Sequence, residues 1–326
     1  MTKKRFRIAY FGKVPTRGDF VKNAGHPQLL TTLDTWVAKC MEQLSEDPGW
    51  KAQYDTAQPL QFAFLGSRSK LAIAGHLAPS RDSSSRRFPF LAATPIEVSQ
   101  PIAFIARSPT AFSRLWNQMA TGTAAALRAA DEAQAGQALQ ALDEIEAEIH
   151  SDADDGFDNF VELQTIERIE RMMRDDGHAV RIRDVILAIG LLLAPVMASG
   201  SSRLEKGLAL PLPEDPVYRN LLAAYWMTLV APFVARADFE LVTFIGKIGG
   251  LQRLAIGFGG ASSRTLASVL TPQGLLDRNV VLDDAAWVDD HFAGNPGLAK
   301  LGSYLDQPQL PLRVALNTFR EVFIGA

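Results

Sequence analysis

A chain of 326 residues, 47% hydrophobic and 21% charged, has apolar mass for one large domain or two average ones. A net charge of −3 with no basic stripe argues against nucleic acid as a partner. A lone cysteine, Cys40, excludes an internal disulfide and a cysteine-built zinc site.

In chain order, an apolar run predicts a first strand over 6–11, broken at Gly12. The next nine residues mix Gly, Pro and both signs of charge. Gly12 and Gly18 admit backbone angles closed to other residues, and Pro15 stiffens the segment. Apolar residues at helical spacing, including Leu33, Trp36, Val37, Cys40 and Leu44, predict a helix over 27–44, with Cys40 on its buried face. Residues 60–66 and 70–77 read as a hairpin turning at Gly66-Ser67-Arg68-Ser69. A Ser-rich loop follows, then a strand over 90–98 that Pro95 assigns to an edge or a bulge. Ser108-Pro109 reads as the N-cap and first residue of a helix running to about residue 119.

Residues 123–150 carry Leu139, Leu142, Ile145 and Ile149 in a narrow stripe, which predicts one exposed amphipathic helix. An acidic break at 152–158 precedes helices expected over 158–174, 181–197 and 215–235. The apolar runs 185–198 and 221–235 are shorter than the ~20 residues that span a bilayer, so they read as buried helices, with no direct membrane insertion. A second hairpin is expected over 239–258 around Gly249-Gly250. Ser262-Ser263 reads as the cap of a helix to Leu270, and helices are expected over 287–292 and 312–323. The expected class is α+β (mixed α/β), a mostly antiparallel sheet flanked by helices. The division is a domain over 1–125 and a helix-rich region over 126–326, separate or packed with the first as one unit. With no signal-peptide pattern after Met1, the expected location is the cytoplasm.

Catalysis needs a nucleophile, a base and an orienting group brought together. The histidines at 26, 76, 150, 178 and 291 share no motif. The glycine-rich run 257–262 lacks the lysine of a P-loop, and the acidic run 152–158 places its glycine one position short for a calcium loop. No catalytic residues, metal or cofactor are therefore expected. The best remaining site is a pair of loops. One holds Gly12, Lys13, Pro15, Arg17, Gly18, Asp19 and Phe20, and the other Ser80, Asp82, Arg86, Arg87 and Pro89. Asp82 could pair with Arg17, or Asp19 with Arg86. Three readings stand: ion pairs that pin the loops together, a partner-binding surface, or a hydrolytic site using Asp19 or Asp82 with an arginine.

Residues 12–20 resemble the N-terminal motif of the TagF (ImpM) family, Gly-Lys-(Leu/Val)-Pro-(Ser/Thr)-Arg-Gly-Asp-Phe, and match it throughout. Trp36, Trp50, Tyr54, Pro59 and Phe62 follow at the family's spacing. Residues 80–89 resemble its second loop, Ser-x-Asp-x-x-Gly-Arg-x-x-Pro, with Ser85 where the glycine usually stands. The resemblance covers roughly residues 6–125. It implies a longin- or profilin-like first domain. It also implies a non-enzymatic, cytoplasmic accessory protein of bacterial type VI secretion that represses the apparatus after translation. The implied partners are apparatus proteins, a forkhead-associated scaffold protein among them. A structural adaptor without repression is the alternative. Some relatives are fused to a phosphatase, but this chain shows no metal-binding aspartates of that kind.

Overall fold

The computed structural model of the protein describes residues 7–23, 25–146, 156–200, 204–292 and 295–325. The chain begins with β1 (Ala9–Gly12), β2 (Val21–Lys22), α1 (Pro27–Ser45) and α2 (Trp50–Thr56). A meander follows: β3 (Leu60–Gly66), β4 (Leu71–Ala78) and β5 (Phe90–Glu97). Six helices come next: α3 (Pro101–Ala111), α4 (Ser113–Arg128), α5 (Glu132–Asp143), α6 (Phe157–Leu163), α7 (Ile166–Asp175) and α8 (Ile182–Ser199). The second sheet segment comprises β6 (Gly207–Pro211), α9 (Pro216–Val234), β7 (Glu240–Ile248) and β8 (Leu251–Gly257). The remainder is α10 (Ser263–Leu270), α11 (Pro272–Arg278), β9 (Asn279–Val281), a 3-10 turn (Ala286–His291), α12 (Pro296–Leu305) and α13 (Leu312–Phe323).

The strands form one nine-stranded sheet in the order β2-β1-β5-β4-β3-β7-β8-β6-β9, antiparallel except for the β6–β9 pair. Pairing of β3 with β7, with Phe62 opposite Phe244, carries the sheet from the first hairpin into the second. Alternation then sorts the side chains. Phe62, Leu77, Leu91 and Phe244 face a core closed by α1, α10 and α11. Ala63, Leu65, Ala92 and Ile256 face a larger core that includes α3, α4, α8 and α9. Helix α9 is apolar on every side and buried from Leu222 to Tyr225 and beyond, because α3, α8, α6 and α13 pack around it.

The class and the two hairpins match the sequence reading, and several details correct it. The first strand joins the sheet of the hairpin, but β5 lies between them. Strand β5 is an inner strand over Leu91–Ala93, and among the described residues it keeps the expected edge locally at Pro95. Its register with β1 stops at Ala93 opposite Ala9, so Pro95 occupies a stretch flanked by β4 alone. Ser108-Pro109 lies inside α3, which starts at Pro101. Pro109 cannot donate to the carbonyl four residues back, and the Ser108 hydroxyl donates to that Ile105 carbonyl at 3.0 Å instead.

The expected exposed helix over 123–150 is instead the end of α4 followed by α5, capped by Asp131. Leu139 and Leu142 are buried, because α5 lies against α4. Ile149 and Asp152 to Asp155 lie outside the described residues. The helix expected over 158–174 is two helices, broken before Thr165, whose hydroxyl caps α7. Ser262 precedes α10, but its side chain makes no capping bond.

Candidate functional site

The polypeptide leaves β1 at Gly12 with φ of 142°, a value that favours glycine. A Cβ there would lie 2.3 Å from the carbonyl oxygen of Pro89, so the two motif loops meet backbone to backbone. Lys13 is two residues beyond Phe11, on the same face, and its side chain turns under the second loop. Its Nζ donates to Asp82 Oδ2 at 2.9 Å, with both side chains buried.

Asp82 is the hub of the second loop. Its Oδ1 accepts from the backbone N–H groups of Ser84 at 3.0 Å and Arg86 at 2.9 Å. Its Oδ2 accepts from Lys13 and from Arg86 Nε, the latter at 2.7 Å. Burial pushes this carboxyl toward the neutral form. The hydrogen bonds from Lys13 and Arg86 overcome that and hold its pKa well below the usual carboxylate range. Two oxygens with four donors have no lone pair left with which to take a proton.

Further bonds fasten the loops. The Arg86 guanidinium donates to the Gly18 carbonyl, and the Ser83 N–H donates to the Arg17 carbonyl at 2.9 Å. The Ser80 hydroxyl donates to the Lys13 carbonyl at 2.6 Å. Tyr54, on α2, accepts from the Ser80 N–H and donates to its carbonyl. Arg87 grips Asp55 through two nitrogens at 2.8 and 2.6 Å. Ser85, in the usual glycine place, has φ of 62°, the left-handed region that explains the family's glycine.

The expected ion pairs of Asp82 with Arg17 and of Asp19 with Arg86 are not formed. Lys13 takes the first role and the Gly18 carbonyl the second, because Arg17 and Asp19 lie at the exposed tip beside Pro15. Gly18 does not adopt a positive φ. The Lys13–Asp82 pair was legible only from the alternation that puts Lys13 on the face of Phe11. Asp55 carried no sequence signal.

What the fastened loops present is aromatic and cationic. Phe20 is 45% exposed. It stacks on Phe11 with centroids 5.1 Å apart and meets the edge of Phe88 at 4.9 Å. Lys13 Nζ lies 5.1 Å from its ring centre. Lys22, paired with Phe11, and Arg86, bonded to Asp82 and Gly18, are exposed beside it, and Arg17 and Arg81 are exposed elsewhere on the two loops.

Other polar clusters lie elsewhere. His178 is buried with Nδ1 at 2.7 Å from Asp283 and Nε2 at 3.1 Å from the Leu212 carbonyl, and Arg253 Nε reaches Asp283 at 3.0 Å. Among the described residues no hydroxyl or thiol bonds that imidazole, and the set ties β8 to its neighbours. His76, on the sheet face opposite Leu77, has its pKa lowered to about 4 by burial. Among the described residues no group of three or more His, Cys, Asp or Glu side chains could hold a metal ion. None of the described helices is long and apolar enough to cross a membrane.

Residues 9–145 match the TagF N-terminal domain, a type VI secretion system-associated family. No curated protein matches the chain. Among solved structures, the chain is similar to that of PA0076 from Pseudomonas aeruginosa PAO1, a 2.05 Å crystal structure, with 22% identity and a TM-score of 0.37. The match covers 43% of this chain and 63% of that one.

Proposed function

We propose, for a chain whose residues 9–145 match the type VI secretion-associated TagF N-terminal domain, that it is a non-enzymatic accessory protein that represses the secretion system after translation. It does so in the cytoplasm by binding a component of the apparatus, and a forkhead-associated scaffold protein is the expected partner. The observation that carries this reading is the saturation of Asp82. Lys13, Asp82 and Arg86 fix the loops to each other, and the exposed side chains left over include Phe20, Arg17, Asp19, Lys22 and Arg81. Such a surface suits contact better than chemistry. Hydrolysis would need a carboxylate free to accept a proton beside a nucleophile. Asp82 is fully bonded, and Asp19 stands exposed with no histidine bonded to it among the described residues.

Capture of an apparatus protein calls for a stoichiometric interface of the usual size, ~1,600 Å² in total. Micromolar affinity, about −8 kcal/mol, would let it compete with assembly. The test is overproduction at graded levels in cells carrying the secretion cluster, with substrate release measured against the partner's abundance. Binding predicts a block that scales with the ratio of the two proteins. Full repression at a few per cent of the partner's abundance would refute sequestration and revive catalysis.

A further inference from the structure

The two loops differ in charge from the rest of the molecule. Over residues 12–22 and 79–90 the cations are Lys13, Arg17, Lys22, Arg81, Arg86 and Arg87, and the anions are Asp19 and Asp82. Asp55 answers Arg87 from α2. The patch is therefore net positive by three, in a chain whose net charge is −3. Arg17, Lys22 and Arg81 are exposed and form no ion pair among the described residues. Arg86 is 61% exposed although it is bonded to Asp82. Phe20 is exposed on the first of these loops, its ring held by Phe11, Phe88 and Lys13, with Lys22 paired across the strand from Phe11.

We infer that this patch is a docking surface for an acidic protein segment that carries one aromatic or large apolar side chain. The inference rests on the protein-binding reading above and adds the place and the chemistry. The apolar side chain packs on the exposed part of Phe20, which supplies a rigid anchor of the kind that dominates interface energies. The segment's anionic groups meet Arg17, Lys22 and Arg81. These rim charges act on encounter rate and partner choice more than on final affinity. The cross-linked loops need no ordering when the partner arrives, so little entropy is lost on binding. Elsewhere the chain carries a net negative charge that repels the same segment and directs it to this patch. A cationic aromatic surface can also hold single-stranded nucleic acid, but such sites stack successive bases on several aromatic rings along a groove. Here one exposed ring stands on these loops.

The full-length protein is titrated against a fluorescein-labelled dodecapeptide of alternating Glu and Gly with a central Trp, read by anisotropy. Companion probes replace Glu by Gln, replace Trp by Ala, or replace two Glu residues by phosphothreonine, and a labelled twelve-nucleotide single-stranded DNA is run in parallel. The acidic peptide is expected to bind about tenfold or more tightly than its Gln counterpart, with affinity falling as salt rises. Arg81→Glu and Phe20→Ala should each weaken it about tenfold. Phe20→Ala should have little effect on the peptide that lacks Trp. Arg278→Glu, on α11, should change nothing. Tighter binding of the phosphothreonine peptide would assign the anion as phosphate, and equal binding would assign it as carboxylate. Thermal melts establish that the variants are folded, and Phe20→Leu, which keeps the apolar contact, should retain most of the binding. Equal binding of the Glu and Gln peptides, equal losses with Arg81→Glu and Arg278→Glu, or tighter binding of the DNA would overturn the inference. If Arg81→Glu abolishes peptide binding and leaves the secretion block intact, the surface stands and its link to repression fails. If overproduction never blocks secretion, the regulatory reading fails whatever the peptide does.

Discussion

Trp36 and Ser262 stand 226 residues apart, yet the indole Nε1 of the first donates to the carbonyl of the second at 3.1 Å. The same indole ring packs against Phe62, Phe64 and Phe244, so one side chain of α1 touches both halves of the sheet. Trp36→Phe keeps much of the packing and leaves the Ser262 carbonyl without its donor. The expected loss is about 1 kcal/mol, measured by urea unfolding.

The family-matched segment leans on the rest of the chain in the same way. β3 has β7 on one side, and α3 lies along α9. The isolated fragment 1–145 would expose a seven-residue strand edge and the apolar face of α3. It is expected to aggregate or to bind a hydrophobic dye, while the full chain does neither. A monodisperse, cooperatively melting fragment would show that the N-terminal part is self-sufficient.

Ser85 occupies the left-handed region at a cost of about 1–2 kcal/mol relative to an ordinary conformation. Ser85→Gly removes that cost but adds backbone entropy to the unfolded chain. A net gain of roughly 0.5–1 kcal/mol is expected, read as a higher urea midpoint with an unchanged slope.

Asp82→Ala leaves Lys13 buried with no carboxylate, whereas Lys13→Met alone leaves Asp82 with three of its donors. The first should be the more destabilising, and combining Lys13→Met with Asp82→Leu should recover part of the loss, because a buried ion pair can be replaced by apolar packing. A double variant as unstable as the sum of the singles would show that the pair does not act as a unit.

His76 gives the pH dependence a definite sign. Burial lowers its pKa from the ordinary 6.5 to about 4, so the folded state keeps it neutral where the unfolded chain would protonate it. Its contribution is complete above about pH 6.5 and is lost as pH falls toward 4. The loss comes to about 3 kcal/mol. His76→Gln should flatten stability between pH 6.5 and 4, whereas the Asp82 carboxylate, whose pKa is depressed, matters only at lower pH. An unaltered pH profile in His76→Gln would rule this origin out.

The sequence made the fold legible wherever a local pattern decides the outcome. Alternation marked β3, β4, β7 and β8, and Gly249-Gly250 marked their tight turn through two positive φ angles. It failed where a long-range partner decides. Nothing in residues 60–66 says that β7 is the neighbour, and β2, at two residues, is too short to carry a pattern. Ser108-Pro109 misled because the Ser108 hydroxyl does inside a helix what a helix start does by position. At the site, the motif located both loops and left open which cation Asp82 would choose. Reach settled it: Lys13 leaves the sheet beside the second loop, while Arg17 has already turned into solvent.

The outer strands of the sheet are its two shortest: β2 has two residues and β9 three. Among the described residues, neither outermost strand offers a run of free main-chain groups long enough to template an added strand. A guest peptide or a neighbouring molecule that pairs with β2 or β9 gains only a few ladder bonds. Recognition is thereby left to the tips of side chains, where a single substitution can redraw what is held.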